Sequence, residues 1–264
     1  MVVVALETGS SRASDGDGRE QLVQLLVPIY NEGENVIRLY ESLRREHVEF
    51  DELCFVYDIV DDTSLPYIAK LSATDPRVSA EKNDLGKGVV FALRWGFSHA
   101  RPGPVIVLMG DNSDKLSIIG ELVLLWRQGA TIVSPSRYMP GGRQHGGPPL
   151  KTFLSRFAGK FIKMCGFPTA DPTNNFKLYD GLWLARQHLE STGGFEAALE
   201  LSFKAYTQGT KIVEVPTEWF DRTAGESRFR LWAWLPKYLY WYCRILAALV
   251  AARIKSVVSM MRKR

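Results

Sequence analysis

Three apolar runs of this chain end on side chains that bind or ionise. LVQLLVPIY (22–30) is closed by Asn31 and Glu32, ELCFVYDIV (52–60) carries Asp58, and PVIVLMGD (104–111) ends on Asp111. The last is the richest, because GDNSD sets the carboxylates of Asp111 and Asp114 around the amide oxygen of Asn112. Hard divalent cations such as Mg2+ or Mn2+ take oxygen donors of this kind, and a cation so held acts as a Lewis acid. The competing reading of GDNSD is a turn rich in Asx residues.

These side chains need elements that bring them to one edge. The apolar runs read as buried strands, and ATIVSPSRY (130–138) reads as a fourth. Helical spacing lies between them, at Val36, Leu39, Tyr40 and Leu43, in GVVFALRWGFSHA and in IIGELVLLWRQG. Strands alternating with helices predict an α/β fold, a mainly parallel sheet with helices on both faces. Ligands of such sheets bind beyond the carboxyl ends of the strands. Asn31, Glu32, Asp58 and Asp111 fall at those ends, and three strand ends in register weigh against solvated turns.

The 264 residues, 46% of them hydrophobic, suffice for one large domain with a substantial core. Residues 1–20 lack the leading charge and apolar length of a signal peptide and read as a mobile tail. Cys54, Cys165 and Cys243 are too far apart for a disulfide framework or a zinc pattern, which makes a reducing compartment the default. The segment GGRQHGGPP (141–149) lacks the Lys-Ser/Thr ending of a P-loop and reads as a mobile loop over a site. No Gly-x-Gly-x-x-Gly follows the first strand, so a Rossmann dehydrogenase is excluded.

In order along the chain, LVPIYNEGENV, VYDIVDDTSL, NDLGKGVVFALRWGFSHA, VLMGDNSD, SRYMPGG, DPTNNFKLYD and GGFEAALELSFKAYTQGTKIVEVPTEWFDRTAGESRF resemble the motifs of glycosyltransferase family 2 across residues 21–229. The resemblance is nearest to the dolichyl-phosphate mannose synthase branch. It implies a Rossmann-like GT-A fold and a metal-dependent inverting transferase that moves a sugar from a nucleoside diphosphate to a polyprenyl phosphate, with Mg2+ or Mn2+ as cofactor. Pro28, Tyr30, Glu32 and Asp58 then line the base and ribose pocket. Asp62 packs on that loop or caps the next helix. Lys87, between Gly86 and Gly88, neutralises a phosphate, unless the glycines only begin a helix.

The same resemblance gives the metal to Asp111, Asn112 and Asp114, and the lipid phosphate to Arg137 and Arg156. It assigns Arg222, Ser227 and Arg228 to a loop that closes on the pyrophosphate, with Ser227 on the acceptor side. Asp171 stands near the reacting centre, to position the acceptor or to act as base, and Glu200 is a second carboxylate whose other reading is a buried pair. The chain departs from the family pattern at several of these places. Tyr57 replaces the first acid of the usual Val-Asp-Asp, which leaves the base, uridine or guanosine, open. Gly110 and Asn112 stand where the usual Asp-x-Asp has its carboxylates, and Arg228 replaces a common Lys. A phosphate monoester acceptor, with a second pKa of about 6, is largely dianionic at neutral pH and needs no catalytic base.

From Ser227 onward the chain has nine Lys or Arg and no acid. Since the whole chain is +4, the remainder carries a net charge of −5. Residues 230–264 read as a basic amphipathic helix, with Lys237, Arg244, Lys255 and Arg262 on one stripe and Leu239, Leu246, Leu249, Val250 and Val257 opposite. Such a helix lies on anionic lipid, on the cytoplasmic face in this reading. The alternatives are packing on the protein's own core or a dimer contact. For the whole chain, the rival readings are a soluble transferase acting on a hydroxyl and a non-catalytic binding protein of the same fold. Nucleic-acid binding is disfavoured, because the basic residues share a helix with a broad apolar face.

Overall fold

The computed structural model describes residues 22–221 and 231–262. Seven strands form the main sheet: β1 (Gln24–Pro28), β2 (Glu52–Tyr57), β3 (Val78–Lys82), β4 (Pro104–Val107), β5 (Ile132–Ser136), β7 (Lys177–Asp180) and β8 (Ile212–Pro216). Two short strands, β6 (Arg143–His145) and β9 (Glu218–Phe220), pair with each other in parallel. The helices are α1 (Asn35–Arg45), α2 (Leu65–Ser72), α3 (Val89–Ser98), α4 (Ile119–Arg127), α5 (Pro149–Met164), α6 (Gly181–Leu184), α7 (Ala197–Thr207) and α8 (Leu231–Arg262).

The order across the sheet is β3-β2-β1-β4-β7-β5-β8, and β7 alone among these runs antiparallel to its neighbours. Successive side chains of a strand point to opposite faces, so Leu25 and Val27 pack with Leu39, Leu43 and Leu122 while Leu26 packs with Leu93, Phe97 and Leu201. The sheet is therefore covered on both sides, as the apolar runs predict. All four expected strands are present. β3, β7 and β8 are additions: VSAEK is polar at one end, and KLYD is only four residues long.

Two expectations are corrected. The Gly/Pro segment 141–149 is not simply a loop, because its centre is β6, held by β9. The helix from residue 230 is present, but it is not a free tail. Trp241, Ile245 and Leu249 pack with Ile162, Phe167, Leu199 and Phe203 in a third core cluster. The Tyr242 hydroxyl donates to the Ala158 carbonyl at 3.1 Å, and Arg244 pairs with Glu190 at 3.2 Å. Core packing thus accounts for the first half of α8 and takes Arg244 out of the basic stripe. Val250, Ile254, Met260 and Met261 stay exposed beyond it. Among the described residues no helix is long and apolar enough to cross a membrane.

Candidate functional site

At the ends of β1 and β2 the chain is held by buried side chains hydrogen-bonded to backbone. Asp62 accepts from the Asn31 amide and from Ser64 N–H, both at 2.8 Å. Ser64 Oγ accepts from the Glu32 and Gly33 amides at 3.0 and 3.2 Å. This fixes Tyr30 and Glu32 just beyond Pro28. Asp62 therefore does what the loop-packing reading asks of it.

Asp58 accepts from Gly88 N–H at 2.6 Å and from the Asn83 side-chain amide. Burial raises its pKa, while those two donors act the other way. Gly88 sits at φ +114°, a region open to glycine and strained for other residues. The pair Gly86 and Gly88 thus does more than begin α3: it ties that turn to Asp58 and leaves Lys87 exposed above it.

After β4 the chain turns through Gly110, where an added Cβ would come within 3.0 Å of Glu32 Cγ. The missing first carboxylate of the family pattern thus coincides with a place that Glu32 crowds. Asp111 accepts from Ser113 N–H at 3.2 Å, and the Asn112 amide donates to Ser42 Oγ at 3.1 Å. β9 clamps this loop, since Phe220 N–H donates to the Ser113 carbonyl at 3.0 Å and Lys115 pairs with Glu218 at 2.8 Å.

The Oδ2 atom of Asp114 is buried and has no hydrogen-bond partner among the described residues. Burial, reinforced by the nearby charge of Asp111, pushes the Asp114 carboxyl up to about 7. A buried carboxylate oxygen without a partner is costly unless a proton or a cation meets it, so the donor set fits a hard cation. Among the described residues no three His, Cys, Asp or Glu gather at one point. That suits Mg2+ or Mn2+ held by one or two carboxylates together with a ligand's phosphates.

On the other side of this loop lies a cavity of about 600 Å³ lined by Arg137, Tyr138, Arg156, Lys160, Lys163 and Glu214, with Gly141 and Gly142 at its edge. Arg137 donates from Nε and Nη2 to Asp171 at 2.7 and 2.9 Å, and its backbone N–H adds a third bond at 3.0 Å. Asp171 is fully buried. The guanidinia of Arg137 and Arg156 lie 4.9 and 5.7 Å from the centroid of the Tyr138 ring. Behind them Lys177, also fully buried, donates to the carbonyls of Asp171 and Asn174. Burial brings its ammonium down to about 7, with Asp171 acting in the opposite sense.

The sequence-predicted residues thus form two groups. Pro28, Tyr30, Glu32, Asp58, Lys87, Asp111, Asn112 and Asp114 follow the ends of β1, β2 and β4 or lie on the turn tied to Asp58. Arg137, Arg156 and Asp171 belong to the cavity. Arg222, Ser227 and Arg228 lie outside the described residues. Glu200 belongs to neither group: it accepts from the Glu190 and Ser191 amides and pairs with Lys204 at 2.6 Å, which is the buried-pair reading. Asn83, Lys160, Lys163 and Lys177 went unread. Lys160 and Lys163 carried a signal, since both follow Arg156 at helical spacing.

The sequence profile described as glycosyl transferase family 2 matches residues 25–182. An undecaprenyl-phosphate mannosyltransferase of Micrococcus luteus is 29% identical over 215 residues, covering 78% of this chain and 86% of that protein. A polyprenol monophosphomannose synthase of Mycolicibacterium smegmatis is 27% identical, covering 79% and 81%. A dolichol-phosphate mannosyltransferase of Pyrococcus furiosus is 26% identical over 79% of this chain, which spans 59% of that longer protein. Among solved structures, glucosyl-3-phosphoglycerate synthase from Mycobacterium tuberculosis, crystallised with Mn2+, UDP and glucosyl-3-phosphoglycerate, has a TM-score of 0.57 at 15% identity. It covers 88% of this chain and 79% of that one, a likeness of fold.

Proposed function

The chain belongs to glycosyl transferase family 2 and is a glycosyltransferase, and from that premise we propose that it transfers a sugar from a nucleoside diphosphate to a polyprenyl phosphate at a membrane surface. One observation carries the acceptor: four cations, Arg137, Arg156, Lys160 and Lys163, line one cavity. Guanidinium forks and ammonium groups in that density suit a phosphate dianion. The names of the relatives from Micrococcus luteus and Mycolicibacterium smegmatis point to the same acceptor class.

In this reading Pro28, Tyr30, Glu32 and Asp58 receive the nucleoside and Lys87 faces the diphosphate. Asp111 and Asp114 would hold Mg2+ or Mn2+, with Asn112 beside them. The cation would supply Lewis-acid neutralisation of the leaving diphosphate. An acceptor phosphate oxygen forms a bond to the anomeric carbon while the bond to the diphosphate breaks, with inversion. The electron pair leaves with the diphosphate, and no proton need move. Arg137 and Arg156 bring the acceptor into line, a positioning effect that contributes much of the rate.

Asp171 bears on the rival reading, transfer to a hydroxyl, which requires a general base. Its carboxylate already accepts three hydrogen bonds from Arg137 and one from Thr173 at 3.3 Å. Such a carboxylate orients Arg137 rather than taking a proton. The non-catalytic reading is disfavoured by the partnerless oxygen of Asp114, which suits a cation-binding site.

The test is a screen of nucleotide sugars with Mn2+ or Mg2+, followed by transfer to short-chain polyprenyl phosphates and to matching polyprenols. Transfer to the phosphate, lost in Asp111→Ala, supports the reading. Transfer to the alcohol alone, or metal-independent turnover in that variant, overturns it.

A further inference from the structure

One helix beside the cavity presents its apolar side to solvent. Phe153, Phe157 and Phe161 of α5 stack on one another with ring centroids 6.2 and 6.4 Å apart. Phe153 and Phe157 are 65% and 63% exposed, and Leu150, Leu154 and Met164 beside them are exposed as well. At helical spacing the six fall within an arc of roughly 100°.

The opposite side of α5 is its seat. Gly159 and Ile162 are buried there, and an added Cβ on Gly159 would lie 1.9 Å from the Ala170 carbonyl oxygen. The helix is therefore pressed onto the body of the protein with its phenylalanines outward. Exposed apolar patches of this kind mark a partner surface.

We propose that this outward face of α5 docks on an anionic lipid bilayer. Charge decides between a bilayer and a second copy of the chain. The helix carries Lys151, Arg156, Lys160 and Lys163 and no acid. A second copy meeting it face to face would set like charge against like, whereas phosphate headgroups complement it. Depth agrees, since an interfacial helix sinks its apolar side about 5–10 Å past the headgroups. The flank bearing Arg156, Lys160 and Lys163 then lies at phosphate level, where it lines the cavity. The proposal deepens the lipid-phosphate reading and rests on it for the acceptor, but docking can be measured without transfer.

The experiment sediments the full chain with vesicles of phosphatidylcholine, with and without phosphatidylglycerol, and compares the triple variant Phe153→Ser, Phe157→Ser, Phe161→Ser. Binding should need the anionic lipid, weaken with salt, and fall at least about tenfold in the variant. Thermal unfolding of the variant should match the parent, and its transfer to a short polyprenyl phosphate in solution should be unchanged. Equal vesicle binding by both proteins overturns the proposal in favour of the exposed half of α8. A parent that binds no vesicles overturns it too. So does a parent that dimerises through these phenylalanines while the variant stays monomeric. If the parent docks, the variant does not, and neither transfers sugar to a polyprenyl phosphate, then docking stands and the acceptor reading fails.

Discussion

Two arginine–aspartate forks stand at opposite ends of the parallel strands, Arg77 with Asp75 before β3 and Arg137 with Asp171 after β5. Their geometry is nearly the same. Each arginine donates from Nε and Nη2 to the two carboxylate oxygens, at 2.9 and 2.7 Å in the first fork and 2.7 and 2.9 Å in the second. Each adds its own backbone N–H, and each lies over an aromatic ring, Phe50 or Tyr138. The surroundings differ. Arg77 also donates to the Phe50 carbonyl, and Asp75 also accepts from the Tyr40 hydroxyl, so that fork is closed within its own fold. Arg137 gives only Nε and Nη2 to the described residues, which leaves three of its five N–H donors, and it lines a cavity with three further cations. The same local chemistry is structural where its neighbours complete it and functional where they leave donors over.

The largest effect should come from Arg137→Ala. Transfer to a polyprenyl phosphate should drop about a hundredfold or more, as when one preorganised donor is removed from a reacting centre. Nucleotide-sugar affinity should hold. Arg77→Ala, assayed beside it, should leave transfer at parent levels. Equal losses in the two variants would erase the distinction between the forks.

Next is Trp241→Ala. The cavity fork works with Arg156 on α5, and α5 rests on α8 through Ile162, Trp241 and Ile245. Deleting a buried indole costs about 3–5 kcal/mol, which urea unfolding reads directly. Ending the chain near Phe229 should for the same reason destabilise the body, instead of only releasing it from membranes.

Asp171→Asn sharpens the comparison further. It keeps the shape of the fork and removes its charge, so Arg137 is held less well and transfer should slow about tenfold. The ascending limb of the pH profile should stay near pH 6 in parent and variant, because it belongs to the acceptor phosphate. Its disappearance in the variant would identify Asp171 as a base.

Much of the strand-end half of the site was legible in the sequence, because its residues follow continuous apolar runs. Runs such as LLVPI and FVY can only be strands buried on both faces, and whatever follows them must stand at the sheet's edge. The cavity half was less legible. Arg137 follows a readable strand, but its partner Asp171 precedes the short β7, and Lys177 is buried where lysine is rarely buried. The Phe153–Phe157–Phe161 spacing was visible, yet a periodic apolar face ordinarily points inward, and only the packing of Gly159 shows that this one points out. The α8 helix is the converse case: its periodicity was read correctly, but periodicity alone does not say what covers a face.

The smallest effect belongs to the closed fork and is a matter of stability. Hydrogen bonds from the Arg77 side chain hold the Asp75 carboxyl well below its ordinary value, against the cost of burial. Because the folded-state pKa is depressed, the fork's contribution is fully present above the unfolded value near 3.8 and is lost as pH falls below it. Arg77 is 39% exposed in its side chain, so solvent screening reduces the contribution to about 1 kcal/mol. Asp75→Asn should therefore lower stability by about that amount at neutral pH, and the gap between parent and variant should narrow as the medium is acidified. Chemical denaturation at several pH values measures it. A gap that persists unchanged into strong acid would mean that the Tyr40 contact or packing, rather than charge, sustains this fork.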